Sequence, residues 1–103
     1  MESIPDSLEF EWDKGNRDKN WEKHLISNKE TEEVFINEPL LVYEDFKHSD
    51  NEKRFQCLGK TNNNKRLFIS FTLRSNKIRV ISARLMNQKE RKIYEKTKNN
   101  SKI

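Results

Sequence analysis

A chain of 103 residues, 37% of them charged and 32% hydrophobic, is sized for one domain with a thin core. Its mean hydropathy of −1.11 leaves no apolar stretch near the roughly 20 residues of a membrane span. The net charge of +4 conceals a polarity: residues 1–53 hold 7 Lys+Arg against 15 Asp+Glu, a balance of −8, whereas residues 54–103 hold 14 against 2, a balance of +12.

Ten aromatic residues gathered in apolar runs argue for a fold despite this polar composition. The start "MESIPDSLEF" lacks the charged-then-apolar layout of a signal peptide, so a cytoplasmic location and no membrane contact are expected. The single cysteine, Cys57, lies in "RFQCLG" and reads as a buried thiol. Surfaces built from the basic half are expected to attract polyanions or an acidic protein, unless the acidic half packs beside them and neutralises them.

In chain order, residues 8–12, "LEFEW", alternate strictly and predict a strand at a sheet edge. Asp13 is placed to cap a helix over 14–25, with Trp21 and Leu25 on one face. Ser27 and Glu30 form a capping box for a second helix, with Ile26 and Thr31 at the staple positions, Val34 and Phe35 buried, and Pro39 beyond its end. Residues 40–46, 54–59, 66–73 and 77–85 are rich in β-branched and aromatic types and predict four strands joined by polar turns. Asn87 with Glu90 is expected to cap a last helix over 88–96. The prediction is an α+β domain in the order β-α-α-β-β-β-β-α, an antiparallel sheet over residues 8–96 with flexible ends at 1–7 and 97–103.

If Ser75-Asn76 is a complete two-residue turn, Arg74 faces Lys77, Thr72 faces Arg79 and Ser70 faces Ile81 on a polar, basic side. The apolar side then pairs Leu73 with Ile78, Phe71 with Val80, Ile69 with Ser82 and Leu67 with Arg84. There is no Gly-rich phosphate loop and no Cys/His cluster, so neither a metal nor a cofactor is expected. The carboxylate pairs of "EWD" and "TEEVF" have the spacing of solvated faces. What remains is a set of arginines and a C-terminal tyrosine. A guanidinium binds phosphate bidentately and stabilises charge growing on phosphorus, which suits binding or cutting RNA.

The residues that carry a family resemblance are "FEWD" at 10–13, Asn20, Lys23 and His24, "EEVF" at 32–35, and Asp45, His48, Glu52 and Arg54. They continue with Phe71, Thr72 and Arg74, then "IRVISAR" at 78–84, and end on Glu90, Arg91 and Tyr94. The chain resembles the BrnT family, toxins of bacterial type II toxin–antitoxin pairs that look like compact relatives of the RelE ribonucleases. It departs from the family at Leu25, where glycine usually follows the histidine, and at Asn16, where lysine is common. The resemblance implies a RelE-like fold and a metal-independent ribonuclease that blocks translation. It also implies a BrnA-like antitoxin with a ribbon-helix-helix domain, through which alone operator DNA is contacted, and an RNA substrate, free or on the ribosome.

Metal-free cleavage needs the 2′-hydroxyl to lose a proton, in-line attack on phosphorus, and protonation of the departing 5′-oxygen. Arg84 and Arg91 are expected on the scissile phosphate, with Tyr94 or Glu90 in proton transfer and His48 as a further candidate. Arg54, Arg74, Lys77 and Arg79 are expected along the RNA backbone, with Trp12 against a base. Each has a structural counterpart: Arg84 in an ion pair with the first helix, Glu90 in the Asn87 cap, Arg91 paired with Glu95, Tyr94 and Trp12 in packing, His48 solvated. A binding protein that does not cut, or an inactive homologue kept as an antitoxin-binding or RNA-binding scaffold, would use the same surface.

Overall fold

The structure, a computed structural model, describes residues 9–12, 24–49 and 51–100. Its elements are β1 (Glu9–Glu11), α1 (Asn28–Val34), β2 (Leu41–Glu44), a 3-10 turn (Phe46–His48), β3 (Arg54–Lys60), β4 (Arg66–Arg74), β5 (Lys77–Leu85) and α2 (Gln88–Asn100). The helix expected over 14–25, with Asp13 and Trp21, lies outside the described residues apart from its last two positions. Among the described residues no helix is long and apolar enough to cross a membrane.

The five strands form one sheet in the order β1-β5-β4-β3-β2. β1 is at an edge, as its alternation predicts, but it pairs parallel to β5, with Phe10 beside Ile78. The sheet is therefore mixed where an antiparallel one was expected. β1 and β5 are far apart in sequence, and a long crossing connection permits the parallel direction that a hairpin forbids.

Ser27 builds its capping box: the Glu30 amide donates to Ser27 Oγ at 3.1 Å, and the Ser27 amide donates to Glu30 Oε1 at 3.0 Å. Thr31 and Val34 of α1 and the preceding Ile26 are buried, so one short helix presses its apolar side onto the sheet. There Phe35 meets Phe71 edge-on at 5.1 Å and Phe10 at 5.4 Å, and Val42, Phe55, Leu67, Ile69, Ile78 and Val80 complete the core. Full burial of each such side chain contributes about 1.5–3 kcal/mol. Gly59 admits the close approach of α1: a Cβ there would lie 2.6 Å from Val34 Cγ1. Cys57 is buried in this layer, which pushes its thiol pKa far up and leaves it inert.

The Ser75-Asn76 turn has φ values of 50° and 66°, the left-handed pair of a type I′ hairpin. Arg74 faces Lys77, Thr72 faces Arg79 and Phe71 faces Val80, in the predicted register. Past Phe71 a bulge inserts Ile81, so Ser70 faces Ser82, Ile69 faces Ala83 and Phe68 faces Arg84. That extra residue moves Arg84 from the apolar side, where it was expected, to the opposite one.

On this second side α2 covers one end of the sheet. Tyr94, fully buried, packs with Leu58 and Met86 and against Leu41 and Phe68. The helix runs to Asn100, beyond the predicted end at 96.

Candidate functional site

Strand parity places Arg54, Thr72, Arg74 and Arg79 on the side of the sheet that α2 covers only in part. Arg54 pairs in register with Thr72, and Thr72 with Arg79, so the three stand in a row across β3, β4 and β5. With Glu52, Arg74 and Ile81 they line an open cavity of about 220 Å³. Glu52 anchors it: its Oε2 accepts from Arg74 Nε at 2.6 Å. That hydrogen bond outweighs desolvation and holds the Glu52 carboxyl below the ordinary range. Glu11 of β1 lies beside Arg79 in register and Glu9 beside Lys77, so acids border the arginines on one flank.

On the other flank, Asp45 follows β2 and its amide donates to the Arg54 carbonyl at 2.7 Å, extending the ladder by one rung. Its carboxylate Oδ2 contacts His48 Nδ1 at 2.9 Å and accepts from Gln56 Nε2 at 3.2 Å. Desolvation pushes the Asp45 pKa up, but hydrogen bonds from His48 and Gln56 outweigh it and hold the carboxyl below its usual range. A carboxylate on Nδ1 fixes the imidazole and turns Nε2 outward. The His48 side chain is 53% exposed.

The other expected residues sit elsewhere. Arg84 grips Glu90 with two bonds of 2.8 and 2.9 Å and lies over the Phe68 ring, 4.1 Å from its centroid. Glu90 also accepts from the Asn87 amide at 2.8 Å, while the Glu90 amide donates to Asn87 Oδ1 at 2.8 Å, completing the cap. Among the described residues the ion partner of Arg84 is therefore Glu90, at the start of α2. Tyr94 donates its hydroxyl to the Pro39 carbonyl at 2.7 Å and is closed to solvent. Burial, partly offset by Arg66, raises its pKa. Arg91 is exposed on α2, and Glu95 pairs with Arg66 at 2.8 Å. Trp12 packs against the apolar core and donates to Glu32 at 2.8 Å. Lys77 is exposed at the start of β5.

The structure thus gathers Arg54, Arg74 and Arg79 on one open surface with Lys77 at its border, and separates them from Arg84, Glu90 and Tyr94, which fasten α2. Cavity-lining residues that were not among the expected site residues are Glu52, Thr72 and Ile81, and Asp45, which holds His48 and Gln56, is a further group of this surface. The available signal was the hairpin register, which already put Thr72 opposite Arg79, and the Asp45-x-x-His48 spacing.

An α+β domain with a helix packed on one sheet face and arginines lining a cavity on the other has the chemistry to bind an anion. The chain matches the model for "Ribonuclease toxin, BrnT, of type II toxin-antitoxin system" over residues 12–90, and it belongs to that family. Among solved structures, the Brucella abortus ribonuclease toxin BrnT superposes with a TM-score of 0.58 at 21% identity, covering 80% of this chain and 100% of that one. A likeness at that identity speaks for the fold. No curated protein sequence matches.

Proposed function

We propose that the chain is a metal-independent endoribonuclease, RelE-like in fold, that blocks translation by cutting RNA at the cavity between β3, β4 and β5. The observation that carries this reading is the convergence of Arg54, Arg74 and Arg79 with Glu52 around one open cavity. The guanidinium groups hold the scissile phosphate and take up the charge that grows on it. Glu52, kept ionised by Arg74, serves as base for the 2′-hydroxyl proton. His48, oriented by Asp45, delivers a proton to the leaving 5′-oxygen, and the other product ends in a 2′,3′-cyclic phosphate. Arg84, Glu90 and Tyr94 serve in fastening α2. Arg91, exposed on that helix, meets RNA or partner outside the cavity.

The partner is a BrnA-like antitoxin with a ribbon-helix-helix domain, which silences the toxin by covering the arginine face and contacts operator DNA on its behalf. The test is cleavage of a single-stranded RNA by purified wild type, Arg54→Ala, Arg79→Ala and Glu52→Gln. Loss of about 100-fold or more in each variant, with the fold intact by circular dichroism, is the expected result. Cleavage at the wild-type rate in Arg54→Ala and Arg79→Ala overturns it.

A further inference from the structure

The side of the sheet that bears the arginines is organised in rows across the strands. Under α2 run Leu41, Leu58, Phe68 and Arg84, each beside the next in register. Four residues further along β3 and β4 stands the arginine row, Arg54, Thr72 and Arg79, beyond an intervening row of Tyr43, Gln56, Ser70 and Ser82. Successive rows on one side of a sheet are about 6.7 Å apart.

The middle row has a chemistry of its own. It carries no charge, and it begins with Tyr43, whose ring is on the edge strand and 43% exposed. Gln56 is oriented, because the Asp45 carboxylate accepts only, so the amide nitrogen faces it and the amide oxygen is turned away as an acceptor. Ser70 and Ser82 add hydroxyls that donate or accept, and both are partly exposed. An aromatic ring followed by neutral hydrogen-bonding groups suits a flat, uncharged, polar-edged ligand. A second phosphate would be served by cations, which this row lacks.

Resting on the ribonuclease reading above, we infer that Tyr43, Gln56, Ser70 and Ser82 form a base-binding row, in which an unpaired nucleobase next to the phosphate held by Arg54 and Arg79 stacks on Tyr43. The wall made by the start of α2 and the arginine row bound this strip on its two sides, which fixes the base between them. The substrate is then single-stranded at this position, because a paired base offers no free face to the ring.

The test uses the full chain and two probes of equal charge: a six-nucleotide 2′-O-methyl oligoadenylate, which cannot be cut, and an abasic 2′-O-methyl ribose-phosphate chain of the same length. Dissociation constants are read by fluorescence anisotropy for wild type, Tyr43→Ala, Tyr43→Phe and Arg54→Ala. The inference expects Tyr43→Ala to weaken binding of the base-bearing probe by about 5- to 150-fold, leave the abasic probe unchanged, and be rescued by Tyr43→Phe. Equal effects of Tyr43→Ala on both probes, or no effect on either, overturn it. If Arg54→Ala weakens both probes while Tyr43→Ala weakens neither, the base row falls and the ribonuclease reading stands. If wild type binds neither probe, or Arg54→Ala changes neither, both fall.

Discussion

Tyr94→Phe separates a structural from a chemical role for the tyrosine. The substitution removes one hydroxyl and leaves the ring among Leu58, Met86, Leu41 and Phe68. What is lost is the 2.7 Å hydrogen bond to the Pro39 carbonyl, which joins α2 to the segment leading into β2. A neutral hydrogen bond contributes about 0.5–1.5 kcal/mol net, and a carbonyl left without its donor adds to the cost, so the loss is about 1–2 kcal/mol. For a domain of this size each kcal/mol moves the melting midpoint by about 4–8 °C. Urea unfolding followed by tryptophan fluorescence should show a lower midpoint with an unchanged slope. RNA cleavage by the folded variant, assayed at least ten degrees below its melting midpoint, should match wild type within about twofold, a margin of some 0.4 kcal/mol in the barrier. An unchanged midpoint together with a tenfold or greater fall in cleavage would refute this reasoning and return the hydroxyl to the reaction.

Gly59→Ala should destabilise the protein by about 1–3 kcal/mol, since its Cβ meets Val34 at 2.6 Å, and Val34→Ala in the same chain should recover part of that loss; urea midpoints check both. Leu25 holds a left-handed φ of 57° with its side chain 62% exposed, so Leu25→Gly should raise stability by up to about 1 kcal/mol, and a fall in midpoint would contradict the strain argument. Desolvation raises the Glu90 pKa, but the hydrogen bonds from Arg84 and Asn87 outweigh it and leave the pKa lowered. Its stabilisation is therefore complete above the unfolded-state value and disappears as pH falls through the folded one. The stability gap between wild type and Glu90→Gln should be constant near neutrality and shrink below about pH 4.5, the ordinary carboxylate value; a gap that widens on acidification would contradict the sign.

Local chemistry was legible wherever the responsible groups are neighbours in sequence. The Ser27 and Asn87 caps, the Ser75-Asn76 turn and the edge position of β1 follow from short-range patterns, and the structure has each of them. The side of the sheet that Arg84 occupies was not legible, because one inserted residue at Ile81 inverts the alternation beyond it and no composition signal marks that bulge. The parallel pairing of β1 with β5 likewise depends on a long crossing that local periodicity does not encode. For the site, the hairpin register located Thr72 and Arg79, whereas Glu52 and Asp45 come from loops whose placement only tertiary contacts decide. Tyr94 and Arg84 carry functional chemistry in type, and no short-range pattern announces that the buried Tyr94 hydroxyl donates to the Pro39 carbonyl or that Arg84 lies over the Phe68 ring. The left-handed angle at Leu25 stands where the resemblance drawn from the sequence implies glycine, the residue that takes such an angle without strain.

The most direct measurement is induced expression of wild type, Arg79→Ala and Tyr94→Phe in a bacterial host at low temperature, following growth and mRNA integrity together. The account predicts growth arrest with mRNA cleavage for wild type and Tyr94→Phe, and normal growth with intact mRNA for Arg79→Ala expressed as folded protein. Arrest and cleavage by Arg79→Ala, with neither from folded Tyr94→Phe, would contradict it and move the active site from the open arginine row to the helix that seals the opposite end of the sheet.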